Sequence, residues 1–160
     1  MRSTFRGLLV SLALLVVPGV CQAGTITYQV GSEQQVLVLL NQIRQQKGLS
    51  HLTLSTPLRT AARSHSVDML RSASFGHSSS LGASGALISR SSKGTLSGET
   101  VAWGVGSHGS PAGLVSQWMR SGGHRAVILA PGVRRVGIGI ALGTFGTTRN
   151  AVMATADFSS

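Results

Sequence analysis

Apolar residues recur at helical spacing in three stretches and then change to strict alternation, and that change divides the chain. Val36, Leu39, Leu40 and Ile43 follow i, i+3, i+4, i+7, the pattern of a helix with one buried stripe. Ser32 with Gln35 three residues later is the expected capping box, and Gly48 supplies the stop. After a connector over residues 49–54, Thr56 as cap and Pro57 at the first helical position open a second helix. Its expected buried stripe is Leu58, Ala61, Ala62, His65 and Met69. The Ser and Gly content of residues 72–84 marks a loop, with a short helix expected over 83–90. Ser110-Pro111 repeats the cap signal for a third helix with Leu114, Val115 and Trp118 on its apolar face, which Gly122-Gly123 is expected to end.

Beyond Pro131-Gly132 the period becomes two: Val136, Ile138, Ile140 and Leu142, then Val152, Ala154, Ala156 and Phe158, on either side of a Gly/Thr/Asn-rich turn. That predicts a hairpin, expected to pair with a strand over 100–105. There is no internal repeat and no linker long enough to separate domains, so helices on a small antiparallel sheet predict one α+β or layered αβα domain.

The leading residues change where this domain is expected to work. Arg2 and Arg6 precede an apolar run of about ten residues, too short to cross a bilayer, and Ala23 offers a cleavage point. Residues 1–23 therefore read as a signal peptide and 24–160 as the mature domain, secreted or periplasmic, with no transmembrane segment left after cleavage. Lipidation of Cys21 is the weaker alternative, because Pro18-Gly19-Val20 is a poor lead-in to a modified cysteine. Cleavage would remove the only cysteine, which excludes disulfides and thiol catalysis, and 137 residues suffice for an unassisted core. It would also lower the formal charge from +10 to +8. That balance favours an anionic partner such as an envelope polymer, through a salt-sensitive field.

Only four acids are present, Glu33, Asp68, Glu99 and Asp157, which excludes carboxylate-rich metal cages. Of five histidines, His108 reads as solvated, His51 lies in a connector with no acidic neighbour in sequence, and His65, on an apolar stripe, reads as a hydrogen-bonded core residue. His77 and His124 each follow a glycine-bearing turn, Phe75-Gly76-His77 and Gly122-Gly123-His124, that would present an imidazole from a helix end. Glu99, after Gly98, is the only acid in the middle of the chain. Two imidazoles and one carboxylate suit an open three-ligand site for zinc or a similar divalent metal, or a metal-free hydrogen-bonded or acid–base cluster.

Other patterns carry less. The glycine spacing of Gly104, Gly106 and Gly109 lacks the acid and the second βα unit a dinucleotide needs, so no nucleotide cofactor is expected. No nucleophile elbow and no Ser-x-x-Lys occurs. Arg120, Arg125 and Arg134-Arg135 are basic spots without interleaved aromatics, so no specific nucleic-acid recognition is expected.

The order of these pieces resembles the CAP superfamily (cysteine-rich secretory protein, antigen 5, pathogenesis-related 1), especially its short bacterial SCP-like branch. The motifs that carry the resemblance are Leu40-Asn41-Gln42-Ile43-Arg44 with Gly48-Leu49, then Leu58 with Ala61-Ala62, His65 and Met69, then Phe75-Gly76-His77. Gly98-Glu99-Thr100-Val101-Ala102 and residues 118–125 come next, with Gly137-Ile138-Gly139 and Asp157-Phe158 last. The resemblance implies a three-layer αβα sandwich with a small antiparallel sheet and a cleft lined by His77, Glu99 and His124. Where members of the family have a second cleft acid, about one turn before the last histidine, this chain has Arg120 and Ser121. It also carries Thr100 in place of asparagine, Gly122 in place of proline and Val127 in place of asparagine.

Three functions fit these observations. The first is a binding module that takes an envelope or extracellular ligand, a small ligand or an anionic polymer, in a His/Glu cleft with or without a divalent metal. The second is a hydrolase of envelope polymers or peptides with Glu99 as base and His124 or a metal activating water. The third is electrostatic adhesion that needs no cleft. Neither catalysis nor an oligomeric state follows from the sequence.

Overall fold

A computed structural model describes residues 25–78, 89–90 and 96–160. The expected leader, with Cys21 and Ala23, and most of the expected helix over 83–90 lie outside these residues; the two described residues of that stretch form a strand instead. In chain order the elements are β1 (Thr27–Tyr28), α1 (Val30–Gln46), β2 (Thr53–Leu54), α2 (Thr56–Ser72), β3 (Ser89–Arg90) and β4 (Leu96–Gly104). A 3-10 turn (Gly106–Gly109), α3 (Pro111–Arg120), α4 (Gly122–Ile128), β5 (Arg135–Phe145) and β6 (Thr148–Ser159) complete it.

The strands form one sheet in the order β1-β5-β6-β4-β3, antiparallel throughout, with β2 added parallel to β5. Alternation along β5 and β6 sorts residues to two faces. Val136, Ile138 and Ile140 join Ala154, Ala156 and Phe158 in a core shared with Val36 and Leu40 of α1, Leu114 and Trp118 of α3 and Val127 of α4. The opposite face carries Gly137, Gly139 and Ala141 of β5 and receives α2. Helices on both faces make this an α+β, three-layer αβα sandwich, as the alternation and the three helical stretches predict.

Tertiary contacts shift several local details. Gln29 N–H donates to Ile140 O in the sheet (2.9 Å), and its own carbonyl already accepts from Glu33 N (3.0 Å). Helix α1 therefore starts at Val30, ahead of Ser32, and no side chain caps it, so the expected capping box is absent. Glu33 is instead held by Arg63 through two bonds of 2.8 and 2.6 Å. Ser55, not Thr56, is the residue before α2. The buried side of α2 is Ala62, Ser66, Val67, Met69 and Leu70, whereas Leu58 and His65 are half-buried and Ala61 is exposed. The helix rests directly on the glycines of β5, so its contact face is set by its smallest residues. Ser66 Oγ reaches Gly139 O at 2.9 Å.

Helix α3 begins as its sequence predicts, with Ser110 Oγ accepting from Gly113 N (3.1 Å). Gly122-Gly123 does not end it; α3 stops at Arg120, and Gly122 opens α4. Ser121 is extended (φ −82°, ψ 122°) and caps the new helix by accepting from the histidine's own backbone N–H. The far end of α4 is fastened by Arg44 of α1, fully buried, whose guanidinium donates to Ser50 O, Ile128 O, Ala130 O and Val133 O at 2.6–3.2 Å.

Candidate functional site

The register of β4 on β6 pairs Glu99 with Asp157, and Asp157 in turn faces Gly137 on β5. These positions share the face covered by α2, whose backbone at Leu58 and Arg59 packs directly onto Gly137, and the two carboxyl groups border a cleft beside that contact. The cleft, about 680 Å³, is lined by His65 and Asp68 of α2, by His77, and by Glu99, Asp157 and Phe158 of the sheet, among others.

His77 enters from the turn after α2, where Ala73 adopts a left-handed conformation (φ 50°) that ends the helix. His65 Nε2 lies 2.9 Å from Gly76 O and donates to it, which ties the turn to α2. His77 Nδ1 then meets Glu99 Oε1 at 2.8 Å, and Ser78 N donates to the same oxygen at 2.9 Å. Glu99 is 1% exposed. With Glu99 Oε1 accepting from Nδ1–H, the Nε2 lone pair of His77 is left free. That nitrogen faces His124 Nε2 at 3.3 Å, with the ring centroids 5.2 Å apart. Burial, reinforced by His77 and opposed by Glu99, holds the His124 imidazole below its ordinary pKa, so it stays neutral at pH 7.

The three sequence-predicted residues are thus brought together, but in a line: Glu99, His77, His124. They do not surround one point, and among the described residues no group of three His, Cys, Asp or Glu is placed to hold a metal ion. The expected three-ligand set is corrected accordingly. Two ring nitrogens 3.3 Å apart match the separation of two ligands on one tetrahedral zinc with bonds of about 2.0–2.1 Å. Zinc or a similar ion therefore fits the histidine pair, with Glu99 behind His77 as the carboxylate that orients a metal-binding imidazole. As a general base Glu99 is poorly placed, since it is sealed from solvent and Oε1 already accepts two bonds.

Two residues gain a role that periodicity did not reveal. His65, read as a core histidine, does make a structural bond, yet it also lines the cleft, with Nε2 3.8 Å from Glu99 Oε2. Asp157 has an enclosed Oδ1 with no hydrogen-bond partner among the described residues. Its signal in the sequence is its place on an odd-numbered position of β6, legible only once the register is known. The substitutions around the site also take effect: Thr100 Oγ1 is buried without a partner, and Val127 packs against Gly98, where a Cβ would come within 2.8 Å of its Cγ1. His108 is exposed, as expected, and so is His51, while Gly104 and Gly109 serve close packing of the 3-10 turn on β4.

Burial first and Glu99 second raise the Asp157 carboxyl from 3.8 to about 7. The direction of its pH dependence is set by proton counts. Between pH 4 and 7 the folded chain holds a proton that the unfolded chain has lost, so this group's contribution to stability is complete below pH 4 and fades as the pH rises to 7. Glu99 on β4, His65 and Asp68 on α2, and His77 are the ionisable groups that line the cleft with it. The depressed His124 acts oppositely, losing stability as the pH falls below 6.5. Asp157→Asn is therefore expected to be more stable than the parent at pH 8, by up to about 4 kcal/mol, and the gain should shrink toward pH 4. Urea unfolding of both proteins at several pH values checks this; a difference that does not change with pH would refute it.

The model of the cysteine-rich secretory protein family (CAP) matches residues 37–158. The chain is 34% identical over 109 residues to the uncharacterized protein YkwD of Bacillus subtilis; this covers 67% of the chain but only 41% of that relative's length. Among solved structures, an outer surface protein of Borrelia burgdorferi superposes with a TM-score of 0.67 at 14% identity, covering 86% of this chain and 98% of that one. An extracellular protein containing an SCP domain from Bacillus anthracis superposes with a TM-score of 0.60 at 24% identity, covering 81% of this chain and 40% of that one. No helix among the described residues is long and apolar enough to cross a membrane. With the sandwich, the order of its motifs and a family match spanning most of its length, the chain belongs to the cysteine-rich secretory protein (CAP) family.

Proposed function

We propose that this protein is an exported CAP-domain binding module that takes a ligand in the cleft between α2 and the β4–β6 ladder, with His77 and His124 able to hold a divalent metal at its side. The observation that carries the reading is the Glu99–His77–His124 line, with two imidazole Nε2 atoms 3.3 Å apart. Export is supported by the expected leader and by the extracellular and outer-surface descriptions of two proteins of the same fold. When bound, zinc would supply Lewis acidity; Glu99 would keep His77 in the tautomer that can ligate. Nothing in the cleft favours the hydrolase reading, because the carboxylate that would act as base is engaged and enclosed.

Isothermal titration of the full chain with zinc at pH 7.5 is expected to show one site, lost in His77→Ala and in His124→Ala. Glu99→Gln, which can still accept from His77, should keep the stoichiometry and weaken affinity by about 10–100-fold. Unchanged stoichiometry in both histidine variants would overturn the reading. Electrostatic adhesion would be recognised by binding to anionic polymer that vanishes with moderate salt and ignores all three substitutions.

A further inference from the structure

Exposed charge is distributed unevenly between the two helical layers of the sandwich. On one side α2 carries Arg59, Arg63, Asp68 and Arg71. On the other, α1 has only Glu33 and Arg44 as charged residues, and both are buried. Residues 100–119, which include the 3-10 turn and nearly all of α3, contain no Asp, Glu, Lys or Arg. Yet the whole chain has a formal charge of +10. The solvent side of α1 is made by Gly31, Gln34, Val38, Gln42 and Gln45, all exposed, Val38 at 55%. Pro111 and Ala112 at the start of α3 form the other wall of a groove of about 640 Å³ along this helix.

Depletion of charged residues marks the centre of a protein–protein interface, and here it covers a face of an otherwise strongly basic protein. Electrostatics also narrows the partner. Two copies of a +10 chain repel each other across any surface that carries their arginines, and they repel least where arginines are absent. The order of residues along α1 fits a second copy as well. The helix runs from Val30 to Gln46, so Val38 is its middle residue, with Gln34 and Gln42 one turn to either side and Gly31 and Gln45 two turns. A two-fold axis through Val38 that sets two α1 helices antiparallel brings Val38 onto the partner's Val38, Gln34 onto the partner's Gln42 and Gly31 onto the partner's Gln45. Each glutamine amide both donates and accepts, so the Gln34–Gln42 contact, made twice, satisfies itself. Nothing lies within 4 Å of a Cβ at Gly31, which leaves room for the long glutamine it meets.

We propose that α1 is the face through which two copies of this chain pair, antiparallel about a two-fold axis at Val38. No residue of α1 or α3 lines the cleft, so both clefts stay open in the pair, and the module becomes bivalent toward a polymeric ligand. The pairing stands apart from the ligand reading above and is tested without any ligand.

Sedimentation equilibrium of the full chain at pH 7.5, from about 10 μM to about 1 mM, is expected to show monomer passing into dimer. Association should strengthen as salt is raised, since screening removes the repulsion between two basic bodies. Val38→Lys and Val38→Glu, each at an exposed helical position, should keep the parent's circular dichroism and lose about 100-fold or more in association, because like charges meet at the axis. Mixing the two variants should restore the dimer, as opposite charges then meet there. Thr60→Lys, exposed on α2 in the opposite layer, should associate like the parent. A parent chain that is monomeric at every concentration, association that survives Val38→Lys, association that weakens with salt, or a mixture that stays monomeric would each overturn the proposal. A monomer whose α1 amides shift, in proton–nitrogen correlation spectra, on addition of uncharged detergent micelles would also overturn it, by giving the face to a lipid surface. If the chain is monomeric and zinc still titrates the histidine pair, only this inference falls.

Discussion

Arg44→Met is expected to lower the unfolding free energy by about 3–5 kcal/mol, read as a displaced midpoint in urea. The methionine fills similar space, so the loss comes from hydrogen bonds rather than from a cavity. Four carbonyls, of Ser50, Ile128, Ala130 and Val133, lose a donor in an interior that water does not reach easily. Each abandoned acceptor costs about 1–3 kcal/mol where nothing else can satisfy it. Arg44→Lys should recover only part, because one ammonium cannot address carbonyls spread from the end of α1 to the start of β5. Three of the four lie at or beyond the C-terminal end of α4, which carries His124 near its start, so Arg44→Met should also weaken zinc binding by the histidine pair. A loss below about 1 kcal/mol would show that the guanidinium is not what fastens α4.

Gly139→Ala is the second large effect, a loss of about 3 kcal/mol or more. A Cβ at this position would overlap the backbone nitrogen of Arg63 and the carbonyl carbon of Ala62 in α2. Those atoms belong to helix main chain and cannot rotate aside, so the whole of α2 must lift from the sheet. The same helix holds His65 and leads into the His77 turn, so the histidine line should come apart along with the packing. Gly31→Ala provides the internal control: nothing lies within 4 Å of a Cβ there, and the residue sits in the first turn of α1, so its effect should be neutral or slightly stabilising. Equal effects of the two substitutions on thermal unfolding would show that helix propensity, not contact with α2, decides the cost.

Much of this architecture could be read along the chain. The stripe of Val36 and Leu40, the cap at Ser110 and the alternation from Val136 to Phe158 are local patterns, and each appears as the periodicity predicts. His77 and His124 were legible for a related reason. A glycine-bearing turn at a helix end limits where the next side chain can go. Where local signals competed with long-range contacts, the contacts won. The Ser32–Gln35 capping box gave way because a sheet bond at Gln29 starts α1 early and Arg63 claims Glu33. Gly122-Gly123 changed from a stop to a start because Ser121 interrupts the helical backbone and caps α4.

The sequence by itself determined the layers, the three site residues and the scarcity of acids, since these depend on period, turn chemistry and composition. Only the tertiary structure decided that Glu99 stands behind His77 rather than beside both histidines, and that Asp157 faces the same cleft. Both outcomes depend on strand register, in which a shift of one residue would send Glu99 or Asp157 to the opposite face. Register is fixed by how β4, β5 and β6 pair across the sheet, through contacts such as Glu99 with Asp157 between residues far apart in the chain, and no local pattern encodes it.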